Sequence, residues 1–195
     1  MAVQRFTING YGQLELNQCA FPRTGRIEAQ CALDVGTTAS PGDFATIPAE
    51  NGMILLIDKV NKKIKLPSAT AANNTLLALN YSTEHMYDER ANALKDFKIS
   101  GKDDFRPRLG YLSVGDRFTT NCLCYDTTAF ADDAAVKTAC TTANLTSTPV
   151  YGAPSTTGAI QLVKTKPASG LTLQAVQGTT MPDGTFAIKF IVIVA

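Results

Sequence analysis

A single imidazole, His85, bounds the acid–base chemistry open to this chain. A Ser-His-Asp or Cys-His site would have to use it as the base, with Glu84 or Asp88 orienting it if that segment were helical. A metal site built from several histidines is excluded. Cys122-Leu123-Cys124 is the closest thiol pair, and a spacing of two puts both sulfurs on one face of a strand, with α-carbons about 7 Å apart. Zinc would need two more ligands, and Cys19, Cys31 and Cys140 offer no second close pair. The Cys-x-x-Cys spacing of a redox pair is absent, and five cysteines, an odd number, are expected as reduced thiols. The acidic pairs Asp88-Glu89, Asp103-Asp104 and Asp132-Asp133 match no calcium loop and read as solvated faces. No glycine-rich loop with a following lysine cradles a phosphate. The expectation is a protein that is not an enzyme, with no catalytic, cofactor-binding or metal-binding residues.

Composition narrows the partners. The chain has 195 residues, 45% hydrophobic and 18% charged, which suits one folded domain. Its 18 basic and 17 acidic residues nearly cancel, so it lacks the electrostatic means to hold nucleic acid. The small basic patches Arg106-Pro107-Arg108 and Lys62-Lys63-Ile64-Lys65 carry no interleaved aromatics. The absence of tryptophan weakens a sugar-binding reading. Little net repulsion keeps copies apart, which favours assembly. No run approaches the roughly 20 apolar residues that span a bilayer, and the start lacks the apolar core of a secretory signal. Neither membrane nor nucleic acid is expected as a partner.

The elements that would position any site are mostly strands. Residues 4–8 and 13–16 alternate around Asn9-Gly10-Tyr11-Gly12 and read as a hairpin. Residues 26–33 alternate again, as one strand. A second hairpin is expected between 53–58, apolar on both faces, and 62–66, where lysines alternate with aliphatics and would discourage stray edge pairing. Residues 67–74 read as a connector, 75–81 as a strand, and 83–97 as a helix on the spacing of Met86, Arg90, Leu94 and Phe97. Two short strands are expected to meet at Gly115-Asp116. A short helix is expected over 132–140, a loop over 144–158, and strands over 160–163 and 171–176. The turn Met181-Pro182-Asp183-Gly184 opens a last hairpin. Beyond it, Phe186, Ile188, Phe190, Val192 and Val194 point one way, with Ala187, Lys189, Ile191 and Ile193 the other. A strand apolar on both faces belongs in the middle of a sheet or against another subunit. The fold class expected is mainly β: an antiparallel β-sandwich or barrel-like domain with one or two short helices. It spans 1–195 as one domain, or divides into 1–66 and 75–195 units joined by 67–74.

Several segments resemble the auxiliary head proteins of tailed bacteriophages. They are Pro48-Ala49-Glu50-Asn51-Gly52-Met53-Ile54-Leu55 with the lysine-alternating strand after it, and Tyr81-Ser82-Thr83-Glu84-His85-Met86-Tyr87-Asp88. Leu94-Lys95-Asp96-Phe97, Gly115-Asp116-Arg117-Phe118-Thr119-Thr120-Asn121 and the closing Met-Pro-Asp-Gly-Thr strand complete the set. The resemblance covers about 44–125 and 180–195 and implies a capsid decoration, or cement, protein. Such a protein is made in the host cytoplasm and sits on the outer capsid surface of the virion. There it binds the major capsid protein and stabilises contacts between its subunits, often as a dimer or trimer. It carries no cofactor and no active-site residues across. Other virion parts (tail-tube, head-completion or fibre-base proteins) and a receptor- or carbohydrate-binding module are the alternatives. The candidate interface residues are Phe6, Ile8, Leu14 and Leu16 of the leading hairpin, which can add strands to a partner's edge, and Phe190, Val192 and Val194 of the last strand.

Overall fold

The computed structural model describes residues 3–8, 10–70, 75–82, 101 and 105–195. The helix expected over 83–97, with His85, and the pairs Asp88-Glu89 and Asp103-Asp104 lie outside the described residues. The chain begins Val3–Arg5 (β1), Leu14–Gln18 (β2), a helical turn Phe21–Thr24 (α1), Ile27–Glu28 (β3) and Ala32–Leu33 (β4). It continues Ile54–Asp58 (β5), Lys63–Lys65 (β6), Leu77–Asn80 (β7), Leu109–Gly110 (β8), Arg117–Thr120 (β9) and Leu123–Asp126 (β10). Helices Asp133–Ala139 (α2) and Thr142–Ser147 (α3) precede Tyr151–Pro154 (β11), Ile160–Val163 (β12), Thr172–Thr180 (β13) and Phe186–Val194 (β14).

The fold is mainly β, in two packed sheets that resemble a sandwich rather than a closed barrel. One sheet has eight strands in the order β1-β10-β12-β11-β13-β14-β9-β2, the other six in the order β3-β8-β7-β5-β6-β4. Both are mixed rather than antiparallel: β10 runs parallel to β12 and β4 parallel to β6. The connection from β10 to β12 holds α2, α3 and β11, long enough to bring the chain back in the same direction. The described residues hold three helices instead of one or two. The sheets do not follow a division at 67–74. β1 and β2 join β9–β14, whereas β7 and β8 join β3–β6.

The eight-stranded sheet must be strongly curled. Thr120 of β9 and Leu123 of β10 are three residues apart, a reach of at most about 11 Å, yet β9 and β10 are five strand spacings apart in the sheet order, about 24 Å if flat. The concave side of the curl is the larger core. It collects Phe6, Phe118, Leu123, Tyr125, Leu162, Leu173, Ile188, Phe190 and Val192, and is closed by Ile54 and Leu79 of the second sheet and by Val136, Cys140 and Leu145 of the helices. A second core lies between the sheets and holds Leu55, Ile57, Ile64 and Ala78 with Cys122, Cys124 and Ala159. Neighbours Ile54 and Leu55 thus enter different cores, which is why β5 is apolar on both faces as its sequence indicates.

The β5–β6 and β13–β14 hairpins form as expected, the former with Leu56 opposite Lys65. The leading hairpin does not. β1 pairs with β10, placing Arg5 opposite Cys124, and β2 pairs with β9, at opposite edges of the curled sheet. Long-range partners win because the intervening segment is held elsewhere: Gly12 N donates to Glu50 Oε2 at 2.6 Å and Gln13 N to Asn121 Oδ1 at 2.6 Å. The 26–33 stretch likewise splits into β3 and β4, on opposite edges of the smaller sheet. Residues 144–158 are not a loop, since they hold the end of α3 and all of β11.

Helix α2 pins the first strand. Asp132 caps it by accepting from Ala135 N at 2.7 Å. The next residue, Asp133, accepts from Tyr125 Oη at 2.8 Å and from Thr7 N at 3.1 Å. Burial alone would raise the Asp133 carboxyl, but those donors outweigh it and hold it below the ordinary carboxylate value. A group depressed in the folded state stabilises above its unfolded value of about 4 and loses that contribution as pH falls through the folded value. Urea midpoints of the native chain are therefore expected to fall between about pH 5 and 3, with a shallower fall for Asp133→Asn. Asp126, held low by Thr128 N, keeps part of the acid limb in the variant. Equal slopes for the two proteins would remove Asp133 from the account.

Candidate protein-binding surface

The curl that builds the core leaves its convex side to be accounted for. Side chains alternate along a strand, so the residues between the buried ones on β12, β11, β13, β14 and β9 point outward. Cross-strand pairing aligns them in one row: Val163 beside Tyr151, Tyr151 beside Gln174, Gln174 beside Ile191, Ile191 beside Arg117, and Arg117 beside Gln18. The first four are half-buried and the last two exposed. Val176 stands next to the row at a bulge between Ala175 and Gln177, 41% exposed where a polar residue would be ordinary. Lys189 and Gln177, opposite each other, border it. The row crosses six strands and wraps around the convex side of the curl.

The expected interface residues fall differently. Phe190, Val192 and Phe6 are buried in the larger core and serve the chain's own fold: Phe190 packs against Phe118 at 6.0 Å between centroids and Phe6 against Phe186 at 5.4 Å. Ile8, Leu14 and Leu16 are half-buried against the same core. Val194 is half-buried opposite Thr172. On β14 the apolar side chains left for a neighbour are Ile191, Ile193 and the expected Val194, all half-buried and outside both cores. The signal for Ile191 and Ile193 was present in the sequence, since both lie on the strand's second face, but which face the chain would cover depends on strand order.

A second exposed apolar place lies by the edge strand β1. Phe6 N donates to Leu123 O, so the backbone of Val3 and Arg5 faces away from β10. Val3 and Ile47, 42% and 38% exposed, flank a cleft of about 260 Å³ with Arg5, Pro48, Met53 and Thr157.

Of the residues that suggested chemistry, the cysteines and the Asp132-Asp133 pair lie in the described part, where Asp132 caps α2 and Asp133 accepts from Tyr125 and Thr7. All five cysteines are free thiols. Cys122 and Cys124 sit together in the second core, and burial pushes Cys122 up to about 12, which keeps it protonated and poorly nucleophilic at neutral pH. Among the described residues no three His, Cys, Asp or Glu side chains cluster as a metal site, and no helix is long and apolar enough to cross a membrane. No family model, no curated protein and no solved structure matches this chain.

Proposed function

We propose that this chain is a structural, non-enzymatic virion protein that binds the major capsid protein from outside a tailed-phage head and holds neighbouring shell subunits together. The observation that carries the binding role is the outward row Val163–Tyr151–Gln174–Ile191–Arg117. It places aliphatic side chains, a tyrosine and an arginine, the last two enriched at interface centres, on a sheet face whose other side already fills a core. The shell as partner rests on the sequence resemblance to auxiliary head proteins. A sheet face suits this task, because a rigid platform orders few side chains on binding and so loses little entropy. Interfaces of standard size repeated over many copies add several kcal/mol at each junction of a shell under pressure. Self-association as a dimer or trimer belongs to the same proposal, with β1 and β2 as the unclosed edges of the curled sheet.

The test is co-sedimentation of the purified chain with heads of the phage carrying its gene, prepared without it. The native chain is expected to pellet with the heads. Ile191→Asp, a charge placed in the middle of the row, is expected to weaken binding more than about tenfold while lowering the melting temperature by about 3–6 °C and leaving the chain folded. A chain that stays monomeric and never adheres to heads, or an Ile191→Asp variant that binds undiminished, overturns the reading.

A further inference from the structure

The β5–β6 hairpin ends in a turn whose residues fit the turn poorly. Val60 is 91% exposed at its tip, the most exposed large hydrophobic side chain among the described residues. Lys62 has φ of 54°, and every other described residue with positive φ is a glycine. The fold accounts for that backbone, since Lys62 O accepts from Ala32 N at 3.0 Å and so ties the turn to β4. It does not account for the side chain, because glycine would make the same bond with less strain. Nor do the lysines guard an edge. β6 lies between β5 and β4, with a neighbour on each side, so the protection that lysines give an open strand is not needed there.

The turn is rigid. Asp58 accepts from Asn61 N at 3.0 Å, from Asn61 Nδ2 at 2.8 Å and from Lys65 Nζ at 3.0 Å. Charge is concentrated on it as well. Residues 58–65 hold four lysines and one aspartate, a net +3, while the whole chain is +1, so everything else sums to −2. Three of these lysines have partners within the chain: Lys59 lies 3.9 Å from Glu28 Oε2 and over the Tyr111 ring, Lys63 Nζ donates to Leu33 O at 3.5 Å, and Lys65 pairs with Asp58. Among the described residues no partner faces Lys62, which leaves one cation beside the exposed valine, and on a protein that pair is complemented by a small apolar depression with carboxylates at its rim. We infer that this hairpin tip is a docking knob, with Val60 entering such a depression on a partner protein while Lys62 pairs with its acidic rim. A protein is favoured over nucleic acid because a valine at the centre of the contact adds nothing to phosphate binding. The inference concerns a surface separate from the convex sheet face and does not depend on that face's partner.

Photo-cross-linking tests it. The full chain carrying p-benzoylphenylalanine in place of Val60 is made in the cells that produce its natural partners, with the same residue in place of Thr146, an exposed α3 position, as control. The expected result is a protein adduct from position 60 well above that from position 146, mapping to a segment with clustered Asp or Glu. Lys62→Gly is expected to lower the adduct about fivefold, as loss of a rim charge does, and to raise the melting temperature by about 2–4 °C through relief of strain. An adduct on an acidic segment of a shell subunit supports both the knob and the shell as partner. One on an acidic segment of a different protein supports the knob and counts against the shell. No adduct above control, an adduct to nucleic acid or to a segment without carboxylates, or a Lys62→Gly yield equal to the native one overturns the inference.

Discussion

Phe190→Ala is expected to cost about 3–5 kcal/mol of folding stability, a large part of the 5–15 kcal/mol that a domain has. The ring is fully buried, in contact with Phe118 and facing Ala175 across the β13–β14 ladder. Strands on both sides of β14 fix the backbone, so the walls cannot collapse into the space left, and the cavity term adds to the lost transfer energy. One residue further along, Ile191→Ala is expected to cost about 1 kcal/mol or less, because that side chain is half-exposed on the convex face. The pair separates the two faces of one strand. Urea unfolding followed by circular dichroism reads the first effect, and head binding reads the second, with Ile191→Ala weakening attachment and Phe190→Ala acting only through misfolding. Comparable stability losses at both positions would mean that the convex face is covered within the chain, and the binding row would lose its basis.

What the sequence disclosed, and what it withheld, follows from the range of the interactions. β5–β6 and β13–β14 are adjacent hairpins closed by short turns, so their alternation and turn residues are local signals. Helix α2 is legible for the same reason, from a capping aspartate and a short apolar spacing. Pairings that depend on the curl were not legible. Residues 4–8 and 13–16 have the pattern of a hairpin around Asn9-Gly10, and nothing local reveals that β10 and β9 compete for them. Those partners lie more than a hundred residues away, and the clamp at Gly12 comes from Glu50. The interface residues shifted by one position for a related reason. Period-2 patterning shows that β14 is apolar on both faces, but only the curl decides that Phe190 and Val192 face inward and Ile191 outward. Lys62 opens the lysine-alternating strand 62–66 in the sequence and Val60 falls in the turn before it; their meaning required the exposure of the tip and the backbone angle.

Removing the carboxylate of Glu50 is expected to loosen the joint between the two sheets, at about 3 kcal/mol for Glu50→Ala. Glu50 is buried in the segment leading into β5 and accepts from Arg5 Nη2 at 2.9 Å and from Gly12 N at 2.6 Å. Its own carbonyl accepts from Asn80 Nδ2 at 2.8 Å, so one residue ties β1, the segment before β2, and β7 together. The next turn depends on the same packing: Gly52 has φ of 83°, and a Cβ there would run into the Thr120 side chain of β9. A charge pair of this kind is weak evidence of net stabilisation, since two well-packed apolar side chains often do as well. The informative experiment is therefore a cycle. Arg5→Met leaves a buried carboxylate with Gly12 as its remaining donor, whereas Glu50→Ala leaves a guanidinium whose side chain is 33% exposed and reaches water. Arg5→Met is accordingly expected to cost at least as much as Glu50→Ala. The double variant Arg5→Met, Glu50→Ala is expected to be less destabilised than the sum of the singles by about 1–3 kcal/mol. The deficit that remains measures the Gly12 N–H, which no apolar residue at position 50 can satisfy, at about 1–3 kcal/mol. Additive losses with no coupling would show that the ion pair holds nothing. The crossing of the chain from β1 to β2 would then rest on the Gly12 N–H bond to Glu50 and on the backbone bonds of Gln13 to Asn121 and Thr120.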